Sequence, residues 1–219
     1  MTEHVKLACG ELSTHIALLF TSMCVHCFVP EEFQVSTIIT VPKGKNTNLT
    51  DSNNYHGITR SSIIGKVFDL IVLDRFSDLL ATSDLQFGFK ARRSTNVCSM
   101  VLKETISYYV NSHSTVYCTM LDATKAFDRV EYSKLSRVLI SRHLPTMIIR
   151  LLLFMYTHNT ARVSWNRLFT SKHFATLNGV KQGGVLSPVL LCIYFDGLLC
   201  KPASAGYGWT CVCWCCSLC

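Results

Sequence analysis

Asp122 closes an apolar run, and a Lys-Gln-Gly-Gly stretch (Lys181–Gly184) follows about sixty residues later. A carboxylate at the end of a strand can hold a hard cation against phosphates, because such cations take oxygen ligands. A glycine turn entering a helix can bring backbone N–H groups up to a phosphate. The two features could therefore flank one phosphate-bearing site. Taken alone, Asp122 reads first as the plain end of a strand, and the glycines as a plain turn.

The elements that would position these residues can be read from periodicity. Tyr117, Thr119 and Leu121 alternate with Val116, Cys118 and Met120, which predicts a strand running into Asp122. A polar turn and a helix from near Val130 should follow. Leu12, Ile16, Leu19, Phe20 and Met23 predict a helix over 12–28, ended by Pro30. Phe33–Pro42 reads as a strand and Lys43–Asn54 as a polar loop. Ser62–Leu80 reads as a long helix. Asp84–Arg93 is a basic loop, and Ser94-Thr95 caps a helix to about Asn111. Glu131–His143 and Pro145–His158 read as consecutive helices. Thr160–Trp165 reads as a strand. Phe174–Val180 leads into the glycine turn, and Leu186–Leu199 forms an apolar helix with Pro188 in its first turn. Strands and helices interleave without a regular period, so the class is α+β.

Composition sets limits. The chain has 219 residues, 49% apolar and 16% charged, enough for a sizeable core and unlike a disordered chain. A net charge of +7 fits an anionic partner such as nucleic acid. Residues 1–10 lack the pattern of a secretory signal. The apolar run Ile16–Val29 contains His26 and two cysteines and is short for a membrane span. An intracellular protein, cytoplasmic or nuclear, without a membrane partner is the expectation. Six of the twelve cysteines lie between Cys200 and Cys219. Without a secretory signal they are not expected to form a disulfide framework. Their spacing lacks the paired arms of a structural zinc site. No charged residue follows Lys201, which marks a break in composition.

Five collinear segments resemble the reverse transcriptase domain of non-LTR (LINE-type) retrotransposons. They are LLFTSMCVHCFVPEEF (Leu18–Phe33), TIITVPKGKNTNLTDSNNYHGITRSS (Thr37–Ser62), QFGFKARRST (Gln86–Thr95), LDATKAFDRVEYSKL (Leu121–Leu135) and NGVKQGGVLSPVLLCIYFDGLL (Asn178–Leu199). The resemblance implies the fingers and partial palm of a right-hand polymerase, without its thumb. Residues 1–114 would hold the N-terminal helix and fingers, 115–200 the partial palm, and 201–219 an atypical tail. It implies an RNA template, a DNA primer and deoxynucleotide triphosphates as partners, with no obligate protein partner evident. Mg²⁺ is the implied cofactor.

Site residues follow by position. Asp122 matches the first catalytic, metal-binding carboxylate, and the Ala123 carbonyl would complete the metal's oxygen shell. Phe127 matches the ring that meets the sugar's 2′ side and excludes a ribose hydroxyl. Asp128 reads as a cap of the next helix. Gln182 would touch the nucleotide, with Gly183 and Gly184 allowing close backbone approach. Lys43 and Lys45 match the basic loop that reaches the triphosphate. Lys90, Arg92 and Arg93 resemble the basic segment along the template. In NYHGI, His56 stands where the family usually has Arg, and a neutral imidazole cannot replace a forked guanidinium.

The family's third motif, Tyr-x-Asp-Asp, does not occur in the 219 residues. Two metal ions about 3.5–4 Å apart need several carboxylates to offset their repulsion. Asp196 is no substitute, matching a helix position away from the metals. The domain as given is therefore expected to be inactive. Allowed codons for Trp209–Cys219, read one nucleotide later, give Gly-His-Val-Phe-Val-Gly-Ala-Val-Arg-Tyr-Ala. That string resembles the family's approach to its third motif. A frameshift near Gly208 is the expectation, leaving the tail cysteines out of frame. A strand at Asp122 lacking its neighbour would invite aggregation. Two other readings are a non-catalytic nucleic-acid-binding module that uses the basic fingers and a cysteine-rich zinc-binding protein.

Overall fold

The computed structural model describes residues 10–44, 48–90, 92–120, 123–165 and 169–204. Two strands of the N-terminal part and three of the C-terminal part share one sheet. β1 (Val35–Pro42) runs antiparallel to β2 (Tyr55–Arg60), from Thr37 opposite Arg60 to Pro42 opposite Tyr55. On its other side β1 pairs in parallel with β3 (Thr160–Trp165), from Val35 opposite Thr160 to Ile39 opposite Ser164. β4 (Phe169–Thr170) and β5 (Phe174–Ala175) each pair antiparallel with β3. A parallel pair needs a long crossover, and here the helices between β1 and β3 supply it.

The helices build the core. α1 is Gly10–His26 and α2 is the single turn Glu31–Gln34. α3 spans Ile63–Arg75, α4 Thr95–Asn111, α5 Tyr132–Ser141, α6 Thr146–Thr157 and α7 Ser187–Ser204. Ile148, Ile149, Leu151 and Leu152 of α6 are buried with Leu135 and Leu139 of α5 and Leu190, Leu191 and Ile193 of α7. Phe20 of α1 meets Phe68 of α3 edge-on, with ring centroids 5.2 Å apart. Burying side chains of this size contributes about 1.5–3 kcal/mol each. Ser94 caps α4 as expected, its hydroxyl accepting the Val97 amide at 3.4 Å.

Several expectations are corrected. The first strand begins at Val35, because Pro30 starts a helical turn that buries Phe33 and lets Gln34 donate to the Val29 carbonyl at 2.9 Å. Tyr55–Arg60 is a strand where no strand was expected; its aromatic and β-branched residues find a ladder on β1. The long helix ends at Arg75, and Phe76–Leu80 continues as turns. Residues 115–120 are not a strand. Tyr117 is 92% and Met120 80% exposed, and no ladder reaches them among the described residues. Alternation makes a segment fit a sheet; only a partner makes it a strand. Asp128 does not cap α5, since Glu131 holds the capping position and no side chain there makes a capping hydrogen bond. Asp128 instead belongs to a 3₁₀ turn, Ala126–Arg129, that precedes α5.

No helix among the described residues is long and apolar enough to cross a membrane. Among the described residues, Cys24, Cys27, Cys98, Cys118 and Cys192 are not in disulfides. The cysteine-rich tail, residues 205–219, lies outside the described residues.

Candidate functional site

Three segments far apart in sequence meet at the glycine turn. The first is the loop after Asp122. Asp122 itself lies outside the described residues; Ala123 is described and exposed. Lys125 takes a left-handed conformation with φ of 53°, which folds the chain back into the 3₁₀ turn and buries Ala126 and Phe127. The Phe127 ring, 7% exposed, meets Phe89 edge-on at 6.0 Å.

The second segment, Asn178–Gly184, docks on that loop through its backbone. The Val180 amide donates to the Phe127 carbonyl at 2.8 Å, and the Gly179 amide to the Val130 carbonyl at 2.9 Å. The Tyr132 hydroxyl donates to the Gly179 carbonyl at 3.0 Å. Gly179 has φ of +90°, and a Cβ there would lie 2.8 Å from both the Asp128 Cα and the Phe127 carbonyl oxygen. Only glycine fits this approach.

The third segment is β2. The Thr59 amide donates to the Gln182 carbonyl at 2.7 Å, so the turn extends the outer edge of the sheet. Gly183 has φ of +96°, and a Cβ would crowd Ile58 and Thr59 at 3.2 Å. Gly184 closes the turn, its amide reaching the Lys181 carbonyl at 2.9 Å. A cavity of about 220 Å³ with a mixed polar and apolar lining lies between the sheet and this turn, with Thr59, Asp128, Tyr132, Asn178, Lys181 and Gln182 among its walls.

Beneath the turn lies a layer of ionisable groups. Burial raises the Asp69 carboxyl to about 6, against the pull of the Leu186 and Val185 amides and of Lys181. Burial lowers Lys181 in turn, with Asp69 opposing. Burial also holds the Tyr156 hydroxyl neutral, and Ser187 hydrogen-bonds to it.

The basic residues divide. Lys43 is exposed just past β1, and its amide closes the hairpin on the Asn54 carbonyl at 2.9 Å. Lys45 lies outside the described residues. Arg92 is exposed, with φ of 61°. Lys90 turns inward, its ammonium donating to the Thr82 and Ser83 carbonyls at 2.8 and 2.5 Å. Arg93 pairs with Asp84 at 2.7 Å and lies over the Phe87 ring at 5.3 Å. Both therefore staple the 82–93 loop. His56 sits on β2 opposite Val41. Asp196 on α7 accepts the Ser83 amide at 2.9 Å and pairs with Arg142 at 2.6 Å.

The site thus brings together Phe127, Gln182, Gly183 and Gly184, with Lys43 at the far end of the β1–β2 hairpin. Gly179, Thr59, Asp69 and Tyr132 were not singled out in the sequence. Gly179 carried a signal, the Asn-Gly turn dipeptide. Asp69 carried none, being one polar residue on an otherwise ordinary helix. No group of three His, Cys, Asp or Glu side chains is placed to hold a metal ion among the described residues.

Comparison with known proteins gives a consistent picture. The family model described as reverse transcriptase (RNA-dependent DNA polymerase) matches residues 41–214. The chain is 28% identical over 188 residues to the probable RNA-directed DNA polymerase from transposon X-element of Drosophila melanogaster, covering 82% of this chain and 20% of that protein. It is 26% identical over 183 residues to the retrovirus-related Pol polyprotein from type-1 retrotransposable element R2 of Popillia japonica, covering 83% of this chain and 26% of that protein. It is 29% identical over 121 residues to the putative 115 kDa protein in type-1 retrotransposable element R1DM of Drosophila melanogaster, covering 54% of this chain and 12% of that protein. The chain therefore spans a quarter or less of the length of most of these relatives.

Proposed function

This chain belongs to the reverse transcriptase (RNA-dependent DNA polymerase) family, and on that premise we propose that it is the fingers and partial palm of a non-LTR retrotransposon polymerase, built to place a deoxynucleotide on an RNA template. One observation carries the reading. The backbone hydrogen bonds from Val180 to Phe127 and from Thr59 to Gln182 join the loop at residues 123–130, the glycine turn and the β1–β2 hairpin, which on this reading are the parts that hold the nucleotide.

On this reading the exposed face of Gly183 admits the base pair, where a side chain would stand in the way. Gln182 reaches the sugar or base. Phe127 forms the floor beneath the sugar, its ring held by Phe89. Lys43, with Lys45, attracts the triphosphate, and Arg92 lies along the template. Lys90 and Arg93 act one step back, by holding the loop that presents Arg92. Asp122 would supply the first carboxylate, with the Ala123 carbonyl beside it. The Mg²⁺ implied by the family needs more carboxylates than the described residues bring together.

Two measurements test this. Binding of a deoxynucleoside triphosphate to the 219-residue chain should weaken at least tenfold in Gln182→Ala; binding unchanged by that substitution removes the nucleotide site. Primer extension on an RNA template by the same 219 residues should fail, because the stretch carries no Tyr-x-Asp-Asp. Extension that disappears in Asp122→Ala would show the given carboxylates to be sufficient.

A second reading is a nucleic-acid-binding module without catalysis, favoured by the exposure of Lys43 and Arg92. It predicts salt-dependent RNA binding, weakened in Arg92→Ala, with no deoxynucleotide binding at all.

A further inference from the structure

Asp69 touches the glycine turn from another part of the chain. Its Oδ2 accepts the Leu186 amide at 3.4 Å, across 117 residues. The same carboxylate feels the Val185 amide and the Lys181 ammonium, both of which favour its charged form. One side chain thus addresses the residue before Gln182–Gly184 and the two residues after Gly184. Ser187, buried at the start of α7, hydrogen-bonds to the Tyr156 hydroxyl beside it.

The turn has little else to fix it on this side. Gly183 and Gly184 offer no side chains, and Gly184 is pressed so close to Ser187 that a Cβ would lie 2.5 Å from its Oγ. On the other side the turn is held by Thr59, whose amide reaches the Gln182 carbonyl at 2.7 Å.

We propose that Asp69 is a positioning residue for the glycine turn: by accepting the Leu186 amide it sets, from α3, where the Gln182–Gly184 backbone stands against β2. The functional meaning of this device rests on the nucleotide-site reading above; the device itself does not.

The hydrogen-bond acceptor does the positioning, and the charge works against it. Burial disfavours the carboxylate, while the two amides, Lys181 from the turn and Lys66 from α3 favour it. Tyr156 from α6 and its neighbour Tyr132 from α5 are the other titratable groups on this side, both held neutral by burial. A protonated Asp69 still offers its carbonyl oxygen to an amide. Opening the turn returns Asp69 to water, where its ordinary value is 3.8 rather than about 6. Between those values the closed turn binds more protons than the open one. Protonation therefore favours the closed turn, and raising the pH through about 6 loosens it.

Hydrogen–deuterium exchange on the whole 219-residue chain tests the proposal, with rates corrected for the intrinsic effect of pH. The peptide over 181–188 reports the turn, and one within α6 is the internal control. Wild type should open several-fold more readily at pH 8 than at pH 5. Asp69→Asn keeps the acceptor and should stay protected, with that pH dependence gone. Asp69→Ala should lose about tenfold protection in the turn, with α6 changed by less than about twofold. An unchanged turn in Asp69→Ala, or equal losses in turn and α6, would overturn the proposal. If Asp69→Ala does not fold, the other two proteins still decide: a wild-type turn indifferent to pH, or an Asp69→Asn turn that keeps the wild-type pH dependence, overturns it. Deoxynucleotide binding is measured alongside. A turn that loosens as expected in a protein that binds no nucleotide supports the positioning role and removes the nucleotide-site reading.

Discussion

The glycine turn and the stretch over 115–120 are two parts of the site expected from sequence, and they are held very differently. Residues 179–186 are fixed by backbone hydrogen bonds to Phe127, Val130 and Thr59, by the Tyr132 hydroxyl and by the Asp69 carboxyl. Residues 115–120 have the stronger strand pattern in sequence, yet Tyr117 and Met120 are 92% and 80% exposed. The turn meets partners that the described residues already contain. The would-be strand does not. Local pattern proposes an element, and only partners within reach make it real.

The contrast can be tested by substitution, beginning where the loss should be largest. Phe127→Ala removes a ring buried between the 3₁₀ turn and Phe89, and should cost about 3–5 kcal/mol in urea unfolding. A cost below about 1 kcal/mol would mean that the docked loop is not what holds this side together.

Gly179→Ala should cost about 2–3 kcal/mol, because its φ of +90° and a 2.8 Å approach to backbone leave no room for a Cβ. Gly10, with nothing within 4 Å of a Cβ, is the control. There Ala should be neutral or slightly stabilising.

The pH dependence of stability sharpens the comparison further. Asp69 is raised from 3.8 to about 6 in the folded chain. A raised carboxyl favours the folded state while it is protonated, so its contribution is lost as the pH climbs through about 6. Wild type should lose at most roughly 3 kcal/mol relative to Asp69→Asn between pH 4 and pH 7. Chemical denaturation of both proteins across that range gives the difference directly. A difference of opposite sign would show that the carboxylate is stabilised by Lys181 more than it is penalised by burial.

At the other region the expected effect is near zero. Tyr117→Ser should change stability by no more than about 0.5 kcal/mol, as an exposed side chain with no ladder. Combined with Met120→Ser it should reduce light scattering during concentration, since exposed apolar residues on unpaired chain promote association. Loss of a cooperative melt in this pair would place 115–120 in the folded core after all.

Much of this was legible in the residues alone. Five ordered motifs carried the family, because motif order and spacing survive where overall identity falls to 22–29%. Apolar patterning placed α1, α5 and α6 within a few residues, and the Ser94 cap placed the start of α4, because an apolar stripe and a cap are both local. What local pattern could not decide was anything that depends on a partner. Tyr55–Arg60 became a strand because β1 lay beside it, while Thr115–Met120 has no such neighbour among the described residues. Lys90 and Arg93 read as template-contacting cations in sequence, and only the folded loop supplied the carbonyls and the carboxylate that engage them. Asp69 and Leu186 are 117 residues apart, and no periodicity links them. Sequence determined the family and much of the apolar patterning. Tertiary structure alone decided which polar groups meet, because hydrogen bonds act over about 3 Å and the chain sets that distance only once it has folded.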